Sequence, residues 1–196
     1  MQANTAEEDF RGSYGFPLPG NVLKIFDPDT GDVVPRGERG EIAIKGPTLM
    51  LGYLGKTIED TFDGEGYFRT GDGGYVDEAG RLYWEGRLTE MIKTGGANVS
   101  PPEVDAAIAT FPGVKLTQTV GVPHATLGEM VVSCIVPQEG RTLEANQLRE
   151  FLKERLASFK VPREILLFSE AEFAVTGSGK IKFKALREVA AKRLSA

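Results

Sequence analysis

Asp72, Arg87, Lys93 and Lys180 stand among glycines, in the stretches YFRTGDGGYVDEAGRLYWEGRLTEMIKTGGANVSPPE (67–103) and TGSGK (176–180). Backbone of low bulk bends closely around a polyanion, and one carboxylate, one guanidinium and two ammonium groups so placed suit nucleotide chemistry. Asp72 lies between Thr70-Gly71 and Gly73-Gly74, on an expected glycine-flanked turn. There its carboxylate accepts two hydrogen bonds from a vicinal diol such as a ribose, although an Asp-Gly hairpin turn uses the same residues. Arg87 follows Gly86 and the apolar run 82–84, within reach of a phosphate or sugar oxygen or simply exposed at a strand end. Lys180 closes Thr176-Gly177-Ser178-Gly179, a tip that swings an ammonium towards developing negative charge or leaves it solvated. It is not a Walker loop, because position 174 is Ala and Ile181 replaces the Ser or Thr that would hold magnesium. Gly71 and Gly73 do not make a dinucleotide fingerprint either, since position 76 is Val.

The elements that must carry these residues follow from local pattern. Lys93-Thr94-Gly95-Gly96-Ala97-Asn98 reads as a tight glycine loop leading into Ser100-Pro101-Pro102-Glu103, a capping box with Ser100 at the N-cap, Pro101 at the first helical position and Glu103 reaching back to the cap amide. Val104, Ala107, Ile108 and Phe111 then recur at helical spacing, which makes Glu103 structural. Before this helix the chain reads as short strands broken by turns: 22–26 ahead of the turn Asp27-Pro28-Asp29-Thr30-Gly31-Asp32, then 41–45, then a strand after Gly64-Glu65-Gly66. After it come apolar strands near 115–122 and 131–136, a helix near 143–156 with Leu148, Phe151, Leu152 and Leu156 on one face, a strand near 164–168 and a closing helix near 183–194. The expected class is α+β. A small antiparallel β-barrel or sandwich spans 1–86, and a compact α/β domain with helices on a small mixed sheet spans 87–196.

Composition narrows the function classes. The 196 residues are 41% hydrophobic and 26% charged, ordinary for a globular protein. A formal net charge of -5 argues against a general nucleic-acid surface; the basic cluster Lys180, Lys182, Lys184, Arg187, Lys192 and Arg193 reads as a solvated face near an anionic ligand. No apolar run approaches the ~18 residues of a membrane span, and the acidic, polar stretch 1–10 does not read as a signal peptide, so a cytoplasmic location is expected. A single cysteine, Cys134, allows no disulfide within one chain, and a single histidine, His124, leaves neither a zinc cluster nor a serine-histidine triad.

In order and spacing, the motifs resemble the C-terminal portion of the acyl-adenylate-forming superfamily, which holds acyl-CoA synthetases, peptide-synthetase adenylation domains and luciferases. The resemblance runs through Gly12-Ser13-Tyr14-Gly15-Phe16-Pro17-Leu18-Pro19-Gly20, Gly40-Glu41-Ile42-Ala43-Ile44-Lys45-Gly46-Pro47, Leu51-Gly52-Tyr53, Thr70-Gly71-Asp72, the stretch 86–103, Phe159-Lys160-Val161-Pro162 and 176–180. It implies that Asp72 binds the ATP ribose hydroxyls, that Arg87 contacts ribose or phosphate, and that Lys180 bridges the carboxylate substrate and the α-phosphate during adenylation, with Mg2+ accompanying ATP. It also implies a rotation of the C-terminal domain about a hinge just after the arginine. The rotation exchanges Lys180 for the face carrying Lys93 and Gly95-Gly96, where glycine leaves room for the pantetheine of CoA. The hinge position, commonly Asp or Lys, is Thr89 here.

The superfamily's phosphate-gripping loop, adenine pocket and acyl pocket lie upstream of all these motifs. The chain is therefore expected to be a piece of a longer ATP-dependent carboxylate–CoA ligase, partnered by the missing N-terminal part of that enzyme and inactive without it. A domain that loads a carrier protein and a non-catalytic docking module are the alternatives.

Overall fold

The computed structural model describes residues 12–173 and 182–195. The chain divides into two units, Met1–Thr89 and Glu90–Ala196. The first is built on one antiparallel sheet in the order β1-β2-β3-β4: β1 Val22–Phe26, β2 Gly40–Lys45, β3 Phe68–Val76 and β4 Leu82–Arg87. Its outer strands are not paired with each other among the described residues, so the antiparallel unit is an open meander. The turn after β1 forms because the Asp27 carboxylate accepts from the Asp29 and Thr30 amides at 2.8 and 3.0 Å; those bonds, chiefly the one from Thr30, hold its carboxyl below the usual range. Ile25, Ile42 and Leu82 pack one small core, and Phe26, Ala43 and Tyr67 another. The connection before β3 carries exposed apolar side chains, Leu51 and Leu54 fully and Ile58 for the most part.

The second unit is a five-stranded sheet covered on both faces. β5 Ile92–Thr94 and β6 Ala97–Val99 form a hairpin, followed by α1 Pro101–Ala109, β7 Val114–His124, β8 Gly128–Pro137, α2 Ala145–Lys153, β9 Glu164–Leu167 and α3 Phe183–Ser195. The sheet order is β6-β5-β8-β7, and β9 adds in parallel to β8, which makes the sheet mixed, as expected. Alternate residues of β8 enter opposite cores: Val131 and Ile135 pack with Val104 and Ile108 of α1 and Leu148 and Leu152 of α2, whereas Val132, Cys134 and Val136 pack with Leu186 and Ala190 of α3. A strand buried on both faces reads as a continuous apolar run, which is why 131–136 shows no alternation. Burial pushes the Cys134 thiol up to about 12. α2 starts later than its apolar pattern, because Leu143 is buried ahead of the helix against Gly113. No helix among the described residues is long and apolar enough to cross a membrane.

Asp105 pins α1 to β7. Its carboxylate accepts from Thr117 Oγ1 at 3.0 Å, Thr119 Oγ1 at 2.8 Å and Gln118 Nε2 at 3.3 Å. Ser133 Oγ lies 2.7 Å from Thr119 Oγ1, and because Thr119 spends its proton on Asp105, Ser133 is the donor of that pair. Burial raises the Asp105 carboxyl from 3.8 to about 6, against the opposing pull of these hydrogen bonds. A raised folded-state value means that the native chain binds the extra proton between about pH 4 and 6. This group's contribution to stability is therefore greatest below that window and falls as pH rises through it. Asp105→Asn removes that slope. In urea unfolding the variant should gain on the wild type by roughly 2 kcal/mol between pH 4 and pH 7; parallel pH profiles would contradict the assignment.

Candidate functional site

Asp72 lies in a bulged strand, which corrects the expectation of a turn. Glu41 of β2 faces Gly73 and Ala43 faces Arg69, so Thr70, Gly71 and Asp72 together oppose Ile42 alone. Side chains take over the hydrogen bonds that the ladder loses. Glu41 Oε1 accepts from Gly71 N at 2.9 Å, its other oxygen accepts from Arg69 Nε and Nη2, Thr70 Oγ1 donates to Ile42 O, and Asp72 N donates to Thr70 Oγ1. Gly71 takes φ 71°, open to glycine at little cost. At Gly74 a Cβ would stand 2.2 Å from Tyr83 O, so the glycines let β3 and β4 approach rather than turn the chain.

The bulge sets Asp72 directly across from Arg87 of β4. Arg87 Nε lies 3.1 Å from Asp72 Oδ1, and Arg87 Nη1 donates to Thr70 O at 2.7 Å. The side chains are 24% and 53% exposed, so the pair faces solvent and contributes little to stability. It places an acceptor beside a planar donor fork, the arrangement that grips a diol and an adjoining anionic oxygen.

In the second unit, Gly95 and Gly96 are the two central residues of the β5–β6 hairpin, with Thr94 opposite Ala97 and φ of 56° and 82°. Two successive positive φ values define a tight two-residue hairpin turn that glycine fits best. Gly95 N donates to Leu127 O at 2.9 Å. Lys93, one residue before Thr94, is exposed, and its backbone N donates to Glu129 Oε2 at 2.9 Å. A concavity of about 340 Å³ at the turn is lined by Thr94, Gly95, Ala97, Leu127, Phe159 and Arg163. Arg163 also lines a second one of about 580 Å³ with His124, Arg149 and Lys153. Lys180 lies outside the described residues.

Comparison with known proteins places these features. The chain matches the family of AMP-binding enzymes over 2–54 and the C-terminal domain of AMP-binding enzymes over 103–180. The chain belongs to the acyl-adenylate-forming superfamily. It is 37% identical over 188 residues to a putative acyl–CoA ligase, YdaB, of Bacillus subtilis, covering 93% of this chain and 36% of that protein. It is 35% identical over 180 residues to a probable 4-coumarate–CoA ligase of Dictyostelium discoideum, covering 91% and 32%. The ATP-bound crystal structure of MatB from Rhodopseudomonas palustris superposes with a TM-score of 0.80 at 35% identity, over 93% of this chain and 36% of that one. The chain thus spans about a third of the length of the curated relatives it matches.

In this superfamily member, part of the basic cluster is structural, which corrects the reading of a solvated face. Arg187 donates to Glu129 at 2.6 Å, and Arg193 bonds Glu172 and Leu167 O while stacking over Phe168. Glu103 holds Lys160 Nζ at 2.6 and 2.7 Å, and its amide donates to Ser100 Oγ. Among the described residues no group of three or more His, Cys, Asp or Glu is arranged to hold a metal ion. Glu41 and Glu129 are the residues that sequence reasoning left without a role; the available signal was an acid set at the start of an apolar strand.

A Cβ at Gly96 would meet nothing within 4 Å, so the requirement for glycine there is conformational. Gly96→Ala should destabilise the chain in urea unfolding by about 1 kcal/mol, and Gly96→Asn by less, because Asn tolerates positive φ. Equal losses would show that something other than φ sets the requirement.

Proposed function

We propose that the chain is the nucleotide-closing and thiol-admitting part of an ATP-dependent carboxylate–CoA ligase, in which an acyl-adenylate forms first and CoA then takes the acyl group. The Asp72–Arg87 pair in a member of this superfamily is the observation that carries the reading. Asp72 accepts from the ribose hydroxyls, and Arg87, already anchored on Thr70 O, donates to a ribose or phosphate oxygen. Lys180 supplies a cation to the negative charge that gathers on the pentavalent phosphorus. Losing such a group typically costs about 10²–10³ in rate. Mg2+ enters with ATP as the counter-ion of its phosphates.

The glycine hairpin serves the second step. Lys93 and the Gly95-Gly96 turn border the passage for pantetheine, and Arg149, Lys153 and Arg163 suit the phosphates of CoA. The names borne by the relatives favour CoA over a carrier protein as the thiol. A rotation about Thr89, at the division between the two units, exchanges the Lys180 and Lys93 faces. With a third of its relatives' length and no phosphate-gripping loop, the chain by itself does not adenylate.

The reading is tested in a chimera in which this chain replaces the matching third of the Bacillus subtilis relative. Wild-type chimera should form acyl-adenylate and CoA thioester. Lys180→Ala should lower adenylate formation by about 10²–10³ while thioester formation from supplied acyl-adenylate persists; equal loss in both steps would overturn that role. Asp72→Ala should raise the KM for ATP while shifting the unfolding free energy by less than about 1 kcal/mol. Carboxylate-dependent ATP–pyrophosphate exchange by the chain alone would overturn the dependence on the remaining part.

A further inference from the structure

We propose that Glu129 is a positioning residue: its carboxylate clasps the glycine hairpin to α3 and holds Lys93 and the Gly95-Gly96 turn in the shape that thioester formation uses. The structural half stands on geometry alone, and the thioester half rests on the ligase reading above.

Ile92 and Val99 anchor the hairpin in the core and Gly95 N donates to Leu127 O, but its strand pairing to the rest of the sheet is sparse. β5 pairs with β8 only at Thr94 opposite Gly128. In a two-residue hairpin the residues flanking the turn exchange hydrogen bonds, so the next pair, Lys93 and Asn98, turns its amides outward. The Lys93 N–H therefore points from β6 towards β8, where no ladder partner is paired with it. Glu129 fills the gap. Its Oε2 accepts from Lys93 N at 2.9 Å, while Oε1 accepts from Arg187 Nη2 of α3 at 2.6 Å. One side chain thus touches a β-hairpin on one side and a helix on the other.

Two further features fit a built clasp better than an incidental surface ion pair. Glu129 is 22% exposed and Arg187 38%, so solvent screens the pair only in part. Gly121 makes room for it: a Cβ there would stand 2.9 Å from the Glu129 carboxyl carbon. Gly121 sits in β7 opposite Val131, a diagonal neighbour of Glu129, with a backbone that any residue could adopt, so space explains the glycine. Arg187 follows Lys180 by seven residues in sequence. The carboxylate that shapes the Lys93 face is therefore held by the helix that comes next after the Lys180 segment.

Amide hydrogen exchange on this chain tests the clasp without any assay of activity. Glu129→Ala should speed exchange of the Lys93 amide about tenfold, as expected for losing one charge-assisted hydrogen bond. Amides of the β7–β8 ladder serve as the reference for global unfolding. Glu129→Gln, which keeps an acceptor oxygen, should restore most of that protection, and Gly121→Ala, which displaces the carboxylate, should reproduce the loss. Unchanged Lys93 exchange in Glu129→Ala overturns the clasp. In the chimera, Glu129→Ala should slow thioester formation from supplied acyl-adenylate about tenfold and leave adenylate formation within about twofold, with rescue by Glu129→Gln. A Lys93 amide set loose while both half-reactions fall equally, or while neither changes, overturns the positioning role. A wild-type chimera without thioester formation overturns the ligase reading instead, and the exchange data still decide the clasp.

Discussion

A backbone N–H that loses its strand partner needs another acceptor, since an unsatisfied buried donor costs as much as the bond it lacks. The chain meets this constraint twice in the same way, with a glutamate side chain standing in for a missing strand. Glu41 takes the Gly71 amide at the bulge in β3, and Glu129 of β8 takes the Lys93 amide where β5 and β8 are no longer paired. Each glutamate also holds an arginine, Arg69 in one case and Arg187 in the other. At both places the regular ladder is interrupted next to the residues with the most chemical potential. The bulge takes Asp72 out of its pairing with β2 while β4 keeps it opposite Arg87, and at the hairpin the Gly95-Gly96 turn is tied to Leu127 O just ahead of β8.

The rest of the second unit gives that irregular rim something rigid to stand on. β8 is covered on both faces, and α1 is fixed to β7 by apolar packing and by the Asp105 network. Strands this enclosed do not shift register without moving every buried side chain to the wrong face. The first unit has far smaller cores and carries Leu51, Leu54 and Ile58 in the open, so its order owes more to hydrogen bonding and less to burial.

Local signals were legible in the sequence, and long-range substitutions were not. Ser100-Pro101-Pro102-Glu103 announced α1: the Ser100 hydroxyl accepts from the Glu103 amide as expected, whereas both oxygens of the Glu103 carboxylate accept from Lys160. The apolar runs gave β7, β8 and β9 and the helical pattern gave α2 and α3, within a few residues at the ends, whereas β5 and β6 flank the glycines of what was read as a loop alone. Asp72 was misplaced onto a turn because glycines at 71, 73 and 74 carry a turn's signature, whereas here one supplies a positive φ and another a close strand contact. The parallel addition of β9 and the roles of Glu41, Glu129 and Arg187 depend on partners from 28 to 58 residues away, beyond the reach of any local pattern.

Cys134 has a consequence outside the chemistry proposed for this chain. Its sulfur is enclosed between the sheet and α3, and its thiol stays protonated at neutral pH. A protonated, inaccessible thiol does not react with alkylating reagents, so this chain behaves towards such reagents as though it were cysteine-free. One cysteine introduced at the surface of each unit would accept spectroscopic tags with no need to remove the native residue. The separation across Thr89 then becomes a distance that can be read directly in solution.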